Sequence, residues 1–185
     1  MTFENFKELY RQSTENRVNK SDTLFHGTYA ACLQSILENG LLPDSTEFWK
    51  AMPNPDGDYK LYFTFDKGDA IEWAELGKAE QEEWLIDMEY DVDTPRIADS
   101  PIIVLAVKTA DMDKNSIGMD DTLCEDMYDD GDDEATVTSC TYTDVVSPDK
   151  IYACEINKDG SIAKLVKLTD IEDLDSWVND NGIVD

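Results

Sequence analysis

Hydrophobic positions along the chain change period several times, and each change marks an element. Phe3, Phe6, Leu9 and Tyr10 fall on one helical face, predicting a short helix over about residues 2–12. "STENRVNKSD" reads as a polar connector, and "TLFHGT" as a short strand ending in a turn. Cys32, Leu33, Ile36 and Leu37 then return with helical spacing over 30–39, with Gly40 placed as the C-cap and Pro43 beyond it. "DSTEFWKAMPNPDGDYK" has loop chemistry. "KLYFTF" alternates, with Leu61, Phe63 and Phe65 on one side and Tyr62 and Thr64 on the other, as a half-buried strand does.

A helix carrying Ala70, Trp73 and Ala74 follows from about Gly68 to the region of Glu82. "PIIVLAVKT" predicts a central strand, and "ATVTSCTYT", "DKIYACEI" and "SIAKLVKL" predict three more. Thr169 and Glu172 have capping-box spacing before a last helix with Ile171, Leu174, Trp177 and Val178. Helices and strands in this order make an α+β fold, its late part antiparallel or mixed. The expectation is one domain over 1–185, with a short N-terminal helix and an acidic insertion at about 120–134.

Charge changes this picture most. Forty-two Asp and Glu against 15 Lys and Arg give a net charge of −27, and nine of the fifteen residues from Asp120 to Glu134 are acidic. Such a surface repels nucleic acid and anionic membrane and attracts basic proteins; the acidic run reads as solvated. Cys32, Cys124, Cys140 and Cys154 form no C-x-x-C, and the single histidine excludes His-based zinc patterns. Free thiols and a cytoplasmic setting are expected, with no metal site. "DDGDDE" fails as an EF-hand: counting from Asp126, position three is Tyr128 and position twelve is Val137.

Three stretches, in order, resemble the diphtheria-toxin/PARP-like branch of the ADP-ribosyltransferase fold over about residues 22–156. The first is "LFHGTYAACLQSILENGLLP", a strand with His-Gly-Thr and a helix ending near G-L-x-P. The second is "LYFTFDKGDAIEWA", where Ala70 lies eight and Trp73 eleven positions after Tyr62. The third is "EATVTSCTYTDVVSPDKIYACEI".

The resemblance implies a split sheet core with flanking helices and NAD as co-substrate. It implies that His26 donates to a ribose hydroxyl, that the backbone of Gly27 pairs with the nicotinamide carboxamide, and that Tyr62 and Trp73 sandwich the ring. Thr28 and Ala70 complete the cofactor wall. His26, Tyr62 and Glu134 are the implied catalytic set. Counting back from Pro148 reaches Val137, which is not acidic, and Glu134 is the nearest upstream carboxylate. Lys50, Lys60 and Lys67 flank the expected cleft as candidates for the pyrophosphate.

The resemblance therefore implies a mono-ADP-ribosyltransferase acting on a macromolecule, with a basic protein as acceptor. Small acidic transferases of this kind suggest a phage or bacterial-conflict role in a host cytoplasm. The competing class is a non-catalytic acidic interaction protein, a nucleic-acid mimic or an inhibitor of a basic protein, on the same fold.

Overall fold

The structure is a computed structural model, and it describes residues 1–43, 60–87, 99–131 and 135–183. Among these are five α-helices and one antiparallel sheet of seven strands. The helices are α1 (Phe3–Lys20), α2 (Leu33–Asn39), α3 (Lys67–Asp87), α4 (Asp121–Asp129) and α5 (Leu174–Asn181). The strands are β1 (Thr23–Tyr29), β2 (Leu61–Thr64), β3 (Ile102–Lys108), β4 (Ile117–Gly118), β5 (Ser139–Tyr142), β6 (Ile151–Ile156) and β7 (Ile162–Lys167). They lie in the order β4-β5-β2-β1-β3-β6-β7. The α+β class read from the sequence is therefore the class of the fold.

β3 is apolar at almost every position because both of its faces are covered. One face joins Leu24, Phe63, Ile103, Leu105, Val107, Cys140 and Ile151 to Leu33 and Ile36 of α2, with Leu174 and Val178 of α5 packed at its margin. The other face packs Val104, Ala106 and Cys154 against Ala70 of α3. A third cluster, Phe6, Tyr10, Cys124 and Val137, ties α1 to α4 and to the segment before β5.

Three expectations are corrected. The N-terminal helix runs to Lys20 and takes in most of the supposed connector. Thr14 and Val18 continue the buried stripe of Phe6 and Tyr10 at four-residue spacing, and Arg11 bonds Glu8 and Glu15 on the outer face. The acidic stretch is not simply a solvated run: Asp121–Asp129 is helical, capped by Asp120, and its Cys124 is buried. The last helix starts at Leu174 under an Asp173 cap that accepts from the Ser176 N–H at 3.0 Å, while Leu168–Asp170 forms a 3-10 turn. Thr169 thus spends its backbone inside that turn and is not the cap.

Cys124, Cys140 and Cys154 are buried free thiols, and Cys32 is partly buried. Burial pushes Cys140 and Cys154 up to about 12. No helix among the described residues is long and apolar enough to cross a membrane, and those residues hold no cluster of metal-ligating side chains.

Candidate functional site

His26 and Gly27 sit in the middle of β1, not at its end. On one side β1 pairs with β3 residue for residue, from Thr23↔Lys108 to Tyr29↔Ile102. Two bonds extend this register beyond the strand, Ala30 N–H to Pro101 O and Thr109 N–H to Asp22 O. In an antiparallel ladder the bonded residues alternate. The even residues of β1 therefore bond to β3, and Phe25, Gly27 and Tyr29 turn their N–H and C=O towards β2. There the ladder holds the single pair Phe25↔Thr64.

Continued, that register would set Gly27 opposite Tyr62. Instead the Tyr62 carbonyl is met by Nδ1 of His26 at 2.9 Å. A carbonyl only accepts, so Nδ1 carries the proton and the neutral ring presents Nε2 as an acceptor. Half-buried in area, the ring is closely surrounded, with Phe63 at 5.7 Å between centroids. Burial pushes its pKa down, against a smaller upward effect of the Tyr62 carbonyl.

Gly27 is glycine for a packing reason. A Cβ there would lie 2.0 Å from the carbonyl oxygen of Ala70 and 3.0 Å from Ala74 Cβ. Ala70, Ala74 and Gly77 form the small-residue stripe on which α3 approaches β1, and the Tyr29 hydroxyl donates to the Ala74 carbonyl at 2.9 Å. The turn into α3 is fixed locally: Asp66 accepts the Gly68 N–H at 2.6 Å, and its carbonyl accepts the Thr64 hydroxyl at 2.7 Å.

The expected residues divide between the two faces of the sheet. His26 pairs with Leu105 on the face of Phe63. Tyr62, next to Phe63 and paired with Thr141, projects to the other face, which carries α3. Tyr62 is 46% and Trp73 45% exposed. Thr28 is buried. Ala70 is fully buried and brings no polar group. Glu134 and Lys50 lie outside the described residues, and Lys60 is held by Asp121 at 3.4 Å. The structure thus brings together His26 and the Tyr62 backbone, and Gly27 and Ala70, and leaves the Tyr62 ring and Trp73 both half-exposed.

Two residues beside Tyr62 and the third motif are additions to the sequence reading. Asp120 is 1% exposed; its carboxylate accepts from the Leu123 N–H at 3.2 Å and from the Ser139 hydroxyl at 2.7 Å. Its capping position before Leu123, Cys124 and Met127 is readable locally. Arg17 stacks on Phe65 at 4.7 Å and donates to the Val137 carbonyl, a contact 120 residues away with no local signal. The Tyr62 phenol is pushed up by burial first, then by Asp120 and Asp121. Compared with known proteins, the chain matches no family model, no curated protein and no solved structure.

Proposed function

We propose that this chain is an NAD-dependent mono-ADP-ribosyltransferase acting on a basic protein. The observation that carries the reading is the parting of β1 from β2 at Gly27, with the peptide of Gly27 turned into the opening. One N–H donor and one C=O acceptor side by side complement a primary carboxamide, which offers the reverse pair. The half-exposed Tyr62 ring supplies a surface for a flat heterocycle. His26, whose ring lies on the face opposite the Tyr62 ring, acts through Nδ1–H, which holds the Tyr62 carbonyl where β1 and β2 part. Ala70 adds no hydroxyl, so carboxamide recognition falls to the Gly27 backbone alone.

In the reaction the bond between C1′ of the ribose and the nicotinamide nitrogen breaks, and the electron pair leaves with nicotinamide. The resulting oxocarbenium-like carbon is captured by a nucleophile of the acceptor, which loses its proton to solvent. The protein's task is to orient the two halves and favour positive charge at C1′. A surface at −27 favours encounter with a basic acceptor.

The test is transfer of label from NAD to proteins of a cell lysate. Transfer that disappears in His26→Ala and in Tyr62→Ala supports the reading, and its absence in the wild-type protein overturns it. Unchanged transfer in Glu134→Gln removes that carboxylate from the site. A second reading, an acidic interaction protein, is favoured by the exposed Glu125, Asp126, Asp129 and Asp130 around α4. It predicts salt-sensitive capture of a basic protein with no binding of NAD.

A further inference from the structure

We infer that the exposed face of Tyr62 is a platform for a planar cationic ring, with the buried carboxylate of Asp120 as its fixed counter-charge. The inference rests on the nicotinamide reading only for the identity of the ring, a pyridinium. The platform itself is argued from the side chains around Tyr62.

Asp120 is a buried carboxylate whose partners are both neutral, the Leu123 N–H and the Ser139 hydroxyl. Capping accounts for one oxygen. It does not account for the burial of the group or for the second oxygen being tied to β5. Neither partner carries a charge that could balance a carboxylate. The neighbouring cations are engaged elsewhere: Lys7 at 3.1 Å and Lys60 at 3.4 Å both meet Asp121. Among the described residues no Lys, Arg or His forms an ion pair with Asp120.

The register places this charge beside Tyr62. Tyr62 pairs with Thr141, and Thr64 with Ser139, so all four side chains leave on one face. Thr141 donates to the Met119 carbonyl at 3.0 Å, and Ser139 to Asp120 at 2.7 Å. The Met119–Asp120 segment is thereby strapped across the same face, next to the ring. The ring is tied at its backbone by His26 and open to solvent at its face. The upward push of Asp120 on the phenol agrees with this closeness. An aromatic face already favours cations through its quadrupole, and a buried, unneutralised carboxylate nearby adds to that preference where water screens it least. Asp121, bridged by two lysines, adds less.

The experiment follows the Tyr62 ring resonances by NMR while the protein is titrated with N-methylpyridinium and, under mildly alkaline conditions where it is neutral, with pyridine. The cation is expected to bind about fivefold or more tightly than its neutral isostere. In Asp120→Asn, which keeps a similar shape and polarity, the preference should fall to about twofold or less with pyridine binding unchanged. Equal affinities in the wild-type protein, no perturbation of Tyr62 by either probe, or a preference that survives Asp120→Asn each overturn the inference. The wild-type ratio decides by itself if the variant does not fold. Comparing 1-methylnicotinamide with N-methylpyridinium isolates the carboxamide. No gain from it sinks the Gly27 reading and leaves this one standing.

Discussion

β1 has two neighbours and treats them differently. Against β3 its ladder is continuous over the whole strand, and α3 covers that side through glycine and alanine contacts. Against β2 the ladder stops after Phe25↔Thr64, and the Tyr62 carbonyl bonds Nδ1 of His26 in place of a strand partner. The closed side has no room for a side chain, and the open side has backbone groups to offer. Gly27 belongs to both, with the place of its missing side chain facing α3 and its peptide facing the opening.

Gly27 is therefore where the contrast breaks most severely. Gly27→Ala should cost about 2–3 kcal/mol, and Gly27→Val more, because the added Cβ falls on a backbone carbonyl that cannot rotate away. Urea denaturation measures this. A loss below about 0.5 kcal/mol for the alanine variant would mean that α3 is not packed against Gly27 closely enough for an added Cβ to clash with the Ala70 carbonyl. Asp120→Ala comes next, at about 2 kcal/mol: roughly 1 for the cap and roughly 1 for the stranded hydroxyl of Ser139. Asp120→Asn should recover most of it.

His26→Ala tests the open side and should separate stability from function. One hydrogen bond to the Tyr62 carbonyl is lost, so stability falls by no more than about 1 kcal/mol. Label transfer from NAD should nevertheless fall below detection. A variant that unfolds cooperatively at much lower denaturant would reassign His26 to the core, and retained transfer would remove it from the site.

The same contrast explains what the sequence made legible. The closed side is dominated by local pattern: the run of Ile102–Lys108, the alternation of Leu61–Thr64 and the small residues of α3 all have their period in the sequence. α1 outruns the stretch its local pattern predicts because Thr14 and Val18 are buried by long-range packing, and a window of polar neighbours hides them. The capping-box spacing at Thr169 was present, but the 3-10 turn at Leu168–Asp170 took those residues first. In the site, the close approach of Ala70 of α3 to Gly27 is a helix-packing contact between residues 43 positions apart, and no local pattern announces it. Asp120 lies inside an acidic run whose other described members are mostly exposed, so its charge gives no sign of being buried. The Arg17 contact with Val137 spans the fold and leaves no mark in either local sequence.

The smallest effect expected is one of pH, and it again concerns the open side. Burial lowers the pKa of His26 in the folded protein below the ordinary histidine value of about 6.5. The unfolded chain therefore binds this proton more readily than the folded one does. The stability associated with the neutral ring is complete above about pH 6.5 and is lost as pH falls from there towards the folded pKa. Protonation would put a charge on Nε2 beside Phe63 while Nδ1–H still holds the Tyr62 carbonyl, so the cost is desolvation and not a broken bond. His26→Gln should flatten the stability profile in this window. The carboxylates with lowered pKa act further down: Glu8, held at about 2 by Arg11 and Gln12, and Asp149 and Asp159, held by Ser147 and Ser161, lose their contributions at more acid pH. They leave the region around pH 6 to the histidine. Urea midpoints of the wild-type protein and His26→Gln, compared from about pH 5.5 to about pH 8, should converge on the acid side and separate on the neutral side. Parallel profiles would mean that the ring is solvated, and that the opening between β1 and β2 is wider than the 2.9 Å bond to Tyr62 implies.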